Sequence, residues 1–513
     1  MDFQFQLPSI PFIFSFLLFV FVLAKTLKKR GTKTKSSLPP LPPGPPPLPL
    51  IGNMHQINGG LPHHKLRSLA KTYGPLMHLK LGEVSNIVVS SAEIAKEVLN
   101  NNGVIFAERP YLLLPVIVSY NNHGLVFCPY GDYWRQMRKI ATVEILSQSR
   151  VQTFGTIREE EVMNLIRSVS ADRESSTSVN LSRKIFSLTY GIVSRAAFGS
   201  KNKDQEAFIP LIEELVALVA GFTIVDMFPS VKLLEVVTGM RRRLNNLHMR
   251  IDRVLENILN EHKARNRIRD DGKREETEDL VDVLLRIQKH GDLEFPLTDD
   301  QIKAVILDIF GAGSETSSTT VEWAMAEMLR APSVMERAQA EVREAFGEQG
   351  TVTEKGVHDL KYLSAVIKET MRLHPSAPLL VPRECSQDCV ISGYRIPAKS
   401  KVVVNAWAIA RDSKNWDDPE KFDPERFLDS KIDFKGRDFE YIPFGAGRRM
   451  CPGIAFAVPN IELPLAQLLY QFDWKLAGGM KPEELDMDES FALTVRRKND
   501  LLLIPTPYNR NKN

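Results

Sequence analysis

The sequence predicts a mainly α-helical protein with small β-sheets, and three observations carry that expectation. Short strand-like runs occur early, at residues 76–81 and 86–90, and again beyond Pro375, at 390–394 and 401–405. Between them, from about residue 92 to 373, runs a long stretch of helical periodicity. One charged, polar interval within it, residues 265–278, reads as an exposed loop between helices. Strands and helices do not alternate as a parallel βαβ array requires, and no internal repeat is visible.

The N-terminus differs in kind. Residues 10–24 are apolar and uncharged; Asp2 alone precedes them as a charge, and Lys25, Lys28, Lys29, Arg30, Lys33 and Lys35 follow. Basic residues after the apolar stretch, rather than before it, mark an uncleaved signal-anchor. The positive-inside rule then places the body of the chain in the cytosol. Counted from Phe3, the span meets the ~20 residues that a bilayer crossing needs. Residues 1–30 thus read as anchor and basic stop, 31–50 as a proline-rich hinge, and 51–513 as one globular unit. Length alone would allow about three domains. The prolines between Pro39 and Pro47 enforce a stiff, extended spacer. The sequon Asn180-Leu181-Ser182 would carry a glycan only if the body were lumenal.

Composition excludes some classes. The 66 basic and 63 acidic residues leave a net charge of +3, too balanced to imply a nucleic-acid partner. Four cysteines in 513 residues form no disulfide framework. Cys385 and Cys389 are four apart, with no histidine or cysteine cluster nearby to complete a zinc site. They read as ordinary buried thiols.

Cys451 stands apart. It lies in Phe444-Gly445-Ala446-Gly447-Arg448-Arg449-Met450-Cys451-Pro452-Gly453, where three glycines and a proline preclude a regular helix or strand. The adjacent arginines are expected to favour a thiolate. At this point a reactive nucleophile and a metal ligand both fit.

Thr298-Asp299-Asp300-Gln301 is a capping box with acidic residues in the first turn, and Pro332 marks the far end. The intervening ~32 residues make a rod of about 48 Å. Its centre, Phe310-Gly311-Ala312-Gly313-Ser314-Glu315-Thr316, is poorly suited to a helix: each glycine costs about 1 kcal/mol relative to alanine. Small residues would let a bulky object lie against the helix, beside a local opening of its hydrogen-bond ladder. They would equally serve close helix–helix packing. Further on, Glu369 and Arg372 share a helical face, and Arg426 in Pro424-Glu425-Arg426-Phe427 is placed to join them.

Taken together, these segments resemble cytochrome P450 monooxygenases, from the anchor to the C-terminus. The loop matches F-x-x-G-x-R-x-C-x-G at Phe444, Gly447, Arg449, Cys451 and Gly453. The helix centre matches A/G-G-x-D/E-T at Ala312, Gly313, Glu315 and Thr316. Glu369 and Arg372 form Glu-x-x-Arg, and Trp134 with Arg138 forms Trp-x-x-x-Arg. Glu315 replaces the commoner aspartate, and Ala446 stands where many relatives carry glycine. The finer resemblance is to plant microsomal members, in the subgroup with premnaspirodiene oxygenase, epi-aristolochene dihydroxylase and casbene oxidases. A monoterpene indole alkaloid hydroxylase belongs to the same subgroup.

The resemblance implies a cytochrome P450 fold with a single N-terminal membrane-anchor helix at the endoplasmic reticulum membrane, and a haem-binding domain over 51–513. It implies haem b with Cys451 as axial thiolate, its sulfur bonded by backbone amides. Trp134, Arg138, Arg383 and Arg449 would neutralise the propionates. Thr316 and Glu315 would relay protons, and Glu369, Arg372 and Arg426 would brace the fold. Electrons would come from NADPH through a separate NADPH–cytochrome P450 reductase, since no dinucleotide fingerprint is present. By position, Leu113, Leu114, Ile117, Ile309, Ala312, Gly313, Ala377, Leu379, Leu380, Val381 and Leu493 are expected around the substrate. Such a lining suits a hydrocarbon-like substrate, and the resemblance implies a sesquiterpene or diterpene, with an indole alkaloid or phenolic as the alternative.

Overall fold

The computed structural model describes residues 38–175, 178–199, 203–219, 223–269, 278–290, 293–347 and 350–509. The apolar segment 10–24, its basic stop and most of the interval 265–278 lie outside them. Among the described residues no helix is long and apolar enough to cross a membrane.

Helices dominate, and the sheets are small. In the four-stranded sheet the order is Leu76–Leu81, Val84–Val89, Lys401–Val404, Arg383–Glu384. The first two strands pair antiparallel through a tight turn at Gly82, whose φ of 59° favours glycine. Asn86 then pairs in parallel register with Lys401, and Arg383 with Val402 antiparallel, so Arg383 is placed by the sheet. The expected strand at 390–394 is instead a hairpin, Cys389–Ile391 with Tyr394–Ile396. Ser392 (φ 46°) and Gly393 (φ 82°) make its turn, which was hidden inside an apparently continuous run.

The long helix spans Asp299–Arg330 without interruption, with Thr298 and Gln301 forming both bonds of the capping box. No opening of its ladder occurs at the centre. The hydroxyls bond backward instead: Ser314 to the Phe310 carbonyl (2.6 Å), Thr316 to Ala312 (2.7 Å) and Thr320 to Thr316 (2.9 Å). The close helix–helix packing expected of small residues is met on one face. Ser314, Ser317, Ser318 and Thr319 are buried, in a helix that packs against Leu181–Phe198 and Ile454–Gln471. Gly311 and Gly313 border a cavity on another face, where an added Cβ would make only ordinary contacts, the nearest 3.9 Å to Ile212 and 3.5 Å to Val193, respectively.

Behind this layer sits a buried ion-pair set. Glu369 and Arg372 are wholly unexposed and joined by two bonds of 2.7 and 2.8 Å. Arg426 reaches the same carboxylate at 3.0 Å, and the Asp423 amide donates to it at 2.9 Å. Arg372 also donates to the carbonyls of Ala410, Pro419 and Lys421. Helix Lys361–Leu373 is thereby tied to the irregular strap at 410–426. The strap continues to Tyr441, whose hydroxyl donates to the Lys368 carbonyl at 2.8 Å, two residues before the loop that carries Cys451.

Two outcomes follow for stability. Glu369→Ala leaves the Arg372 guanidinium buried without its counter-charge and should cost about 3–5 kcal/mol in denaturant unfolding, with Arg426→Ala costing less. Glu322 is buried, accepts a bond from Ser182, and is pushed up to about 7, mainly by burial. A carboxyl raised on folding favours the folded state most fully below its unfolded pKa of ~4.3, and that contribution is lost as pH rises through about 7. The melting temperature should therefore fall across pH 5–8, and Glu322→Gln should flatten the fall.

Candidate active site

Between the central helix and the loop 443–453 lies a largely apolar cavity of about 340 Å³. Cys451 and Phe444 lie on one side of it, and Ala312, Gly313 and Thr316 on the other. The loop is shaped by backbone bonds: the Cys451 amide donates to the Phe444 carbonyl (3.0 Å) and the Gly445 amide to Ile442 (2.9 Å). Gly445 (φ 68°) and Gly447 (φ 69°) occupy left-handed conformations. At Gly447 a Cβ would stand 2.0 Å from the Leu99 carbonyl oxygen, so only glycine allows this approach. Gly447 thus shapes the loop without lining the cavity, whereas Gly453 lines it.

The sulfur accepts one amide bond, from Gly453 at 3.3 Å, rather than several. Burial raises the Cys451 thiol; the Gly453 amide and the charge of Arg138 act in the opposite direction. The adjacent arginines do not do the work expected of them. Arg448 is exposed, and Arg449 turns away to the carbonyls of Ala107 (2.9 Å) and Cys128 (2.6 Å). A bound metal cation, by contrast, would deprotonate the sulfur outright.

Trp134, Arg138, Arg383 and Arg449 all border the cavity, and Arg109 joins them without having been singled out from the sequence. Among the described residues these four arginines form no ion pair; they are anchored through carbonyls or left free. Arg383 donates to Ala446 (3.1 Å), and Arg109 to Pro382 (2.7 Å), Val126 (2.8 Å) and Val381 (3.0 Å). Burial, with mutual repulsion, pulls Arg383 down to about 9 and Arg109 well below the guanidinium range, and burial brings Arg449 to about 10. Trp134 spends its indole N–H on the Leu125 carbonyl (3.3 Å) and lies under the Arg449 guanidinium, 4.3 Å from the ring centre. It is a platform for a cation rather than a free donor. Arg109 follows an acidic residue and precedes Pro110, and nothing in that local pattern separates it from a surface arginine.

On the helix side Thr316 borders the cavity, but Glu315 does not. Successive residues on a helix point about 100° apart. Glu315 is buried on the neighbouring face, 3.4 Å from the hydroxyl of Thr494, and burial raises its carboxyl. Thr494 itself borders the cavity. A carboxyl that was not anticipated does reach the space. Asp308 accepts from the Val126 amide at 2.8 Å and is pushed up to about 7 by burial, against the pull of those amides and of Arg109. It lies two turns before Thr316, in a stretch that reads as ordinary helix.

Of the expected substrate residues, Leu114, Ile309, Ala312, Gly313, Ala377, Leu380, Val381 and Leu493 border this cavity. Leu113 and Ile117 do not: within helix Leu113–Val118 they pack against the core while Leu114 faces inward. Leu379 borders a smaller neighbouring hollow with Phe491 and Lys401, whereas Leu380 (φ 51°) borders both spaces. Phe127, Leu215, Val216 and Val219 complete the apolar wall.

Comparison with known proteins agrees with this geometry. A family profile for Cytochrome P450 matches residues 42–503. Tabersonine 16-hydroxylase 2 of Catharanthus roseus is 56% identical over 501 residues, covering 96% of this chain and 97% of that protein. Desmethyl-deoxy-podophyllotoxin synthase of Sinopodophyllum hexandrum is 54% identical, covering 94% and 95%. Premnaspirodiene oxygenase of Hyoscyamus muticus is 52% identical, covering 98% and 99%. Among solved structures, a zebrafish cytochrome P450 crystallised with progesterone superposes with a TM-score of 0.73 at 28% identity, covering 87% of this chain and all of that one.

The glycines of the loop and the helix should respond oppositely to substitution. Gly447→Ala meets the Leu99 carbonyl and a strained φ, and should lower unfolding stability by at least about 1–3 kcal/mol. Gly311→Ala meets only an ordinary contact with Ile212 within a helix and should raise it by up to about 1 kcal/mol.

Proposed function

The chain belongs to the cytochrome P450 family, and on that premise we propose that Cys451 is the axial ligand of its haem. The family's enzymes are monooxygenases with a cysteine-ligated haem b that receives electrons from a separate reductase. The residues present fit such a group: a half-buried sulfur at the cavity surface, one buried and three half-buried arginines without a carboxylate ion pair, and an apolar space between them. Arg109, Arg138, Arg383 and Arg449, with Trp134 beneath Arg449, would hold the two propionates. Forked guanidinium donors suit that work. When bound, the haem supplies dioxygen activation and the insertion of one oxygen atom into substrate.

The chain's own residues would do the rest. Thr316 keeps its hydroxyl at the cavity surface, bonded to the Ala312 carbonyl, and would hold a proton there for delivery into the space. Glu315, whose carboxyl burial raises, would resupply protons through Thr494 rather than directly. The apolar walls would exclude bulk water and orient a rigid hydrocarbon by shape. The substrate in this reading is a plant specialised metabolite of sesquiterpene or diterpene type. The observation that carries it is the aliphatic part of the lining, from Leu114, Ile309, Leu380, Val381 and Leu493.

A second reading, a monoterpene indole alkaloid, draws on two observations. Relatives at 52–56% identity are named for tabersonine, and Asp308 offers a carboxyl to a basic nitrogen. In either case the apolar segment 10–24 would anchor the enzyme to the endoplasmic reticulum membrane beside NADPH–cytochrome P450 reductase. Asn180 supports a cytosolic body. Its amide nitrogen donates to Asp500 at 2.7 Å, and its oxygen caps helix Leu181–Phe198, a pairing that a glycan would break.

The reduced, carbon-monoxide-bound protein should show the Soret band of a thiolate haem, and Cys451→Ser should abolish it. Its absence from haem-replete folded protein would sink the assignment. Thr316→Ala should retain that band while releasing more hydrogen peroxide per NADPH consumed. Feeding terpenes and alkaloids to the enzyme with its reductase, with product mass as the readout, decides the substrate: an oxygenated alkaloid with untouched terpenes overturns the first reading.

A further inference from the structure

We propose that His63, His64 and Glu489 form a binding site for a divalent transition-metal ion, zinc best of all, outside the haem cavity. Their ligand atoms all lie within 4.8 Å of one another. His63 Nε2 stands 2.7 Å, and His64 Nε2 3.4 Å, from the same oxygen, Oε2 of Glu489. Ligands held at ~2.0–2.2 Å in a tetrahedral zinc site are roughly 3.3–3.5 Å apart. The His64 spacing already meets this, and His63 needs to open by only about half an ångström. Two imidazoles and one carboxylate form a ligand set that zinc takes readily, with a fourth position left over.

The ligands are held in place. The side chains of His63 and Glu489 are both buried, and His63 Nε2 and His64 Nε2 converge on one oxygen of that carboxylate. The His64 ring stacks on Trp407 at 4.2 Å, and His63 packs edge-on to the same indole at 5.0 Å. Two cations stand nearby, Arg411 and Arg67, but both are paired with Glu420. His64 is half exposed, which gives an ion a way in from solvent.

An independent observation points to the same place. The side chain of His374 is nine-tenths buried, and its Nε2 is fixed by Glu327 at 2.7 Å, which leaves Nδ1 without a hydrogen-bond partner. That nitrogen faces Glu489 Oε1 at 4.0 Å. With its N–H directed to Glu327, a neutral His374 would present a lone pair to a carboxylate oxygen. Two acceptors so placed repel one another unless a proton or a metal ion sits between them. A carboxylate behind an imidazole is also the usual outer partner of a metal-bound histidine. His374 thus lies beside the carboxylate as an outer neighbour of the three-residue site.

Such an ion would clip together segments far apart in sequence. His63 and His64 open helix Pro62–Tyr73. His374 follows helix Lys361–Leu373 and immediately precedes the cavity-lining stretch at 376–381. Glu489 begins the hairpin Glu489–Phe491/Val495–Arg497, whose tip carries Leu493 and Thr494 into the cavity.

The test uses tag-free, haem-loaded protein stripped with EDTA and titrated with zinc chloride in a calorimeter, with thermal unfolding and metal-to-iron ratio as further readouts. About one equivalent of zinc per haem should bind and raise the melting temperature. His64→Ala, an exposed change that leaves the fold intact, and Glu489→Gln should each weaken binding at least tenfold, while His55→Ala should not. Binding only at millimolar zinc, or binding untouched by His64→Ala and Glu489→Gln, overturns the proposal. A stabilisation on acidification that is lost in His374→Gln, without zinc binding, also overturns it, since the cluster would then hold protons instead.

Discussion

Glu369 is the point on which the rest of the molecule hangs. One carboxylate, shut away from water, satisfies Arg372, Arg426 and the Asp423 amide together. In an apolar interior those charges would be intolerable singly. Held together they fasten a regular helix to a long irregular strap that has almost no secondary structure of its own. The strap delivers Tyr441 to the Lys368 carbonyl, and the loop with Cys451 starts from that fixed end. A loop whose conformation depends on two left-handed glycines needs such a firm support to present a sulfur always in one direction.

The cavity shows the opposite strategy. Three of its arginines, Arg109, Arg383 and Arg449, are bound to backbone carbonyls, which orient them but do not neutralise them. Its thiol is pushed toward the protonated form by burial. Each of these is an unfavourable state that a single guest can relieve, provided it brings anions at its edge and a metal at its centre. The protein alone is thus tuned to a cofactor rather than to itself. Retention of that cofactor draws on several small electrostatic debts at once.

Much of this was legible in the sequence. The capping box of the long helix, the strand at Lys401–Val404 and the pairing of Glu369 with Arg372 follow from spacing and residue type. The motifs around Cys451 and Thr316 located the two sides of the cavity. What escaped is instructive in physical terms. Glu315 was assigned with Thr316 because they adjoin in sequence, yet adjacent helical residues point to different faces. Arg449 was expected to charge the sulfur, yet its long side chain found carbonyls in another segment. Asp308 and Arg109 gave no local signal, because what makes them unusual is burial by residues distant in the chain. The same holds for His374 and Glu489, which are separated by more than a hundred residues and meet only in the fold.

The cavity wall has a history written into its construction. Leu114, Phe127, Val216, Leu380 and Leu493 come from separate segments, and none of them takes part in the Glu369 set or in the bonds that shape the Cys451 loop. A change at any of them alters the space while leaving the support of the sulfur untouched. Relatives named for tabersonine, podophyllotoxin and premnaspirodiene accordingly share more than half their residues with this chain. Descent with modification can explore new molecules one wall residue at a time, each intermediate still folding and still holding its haem. The separation of wall from frame is what makes one scaffold a source of chemical diversity in plants.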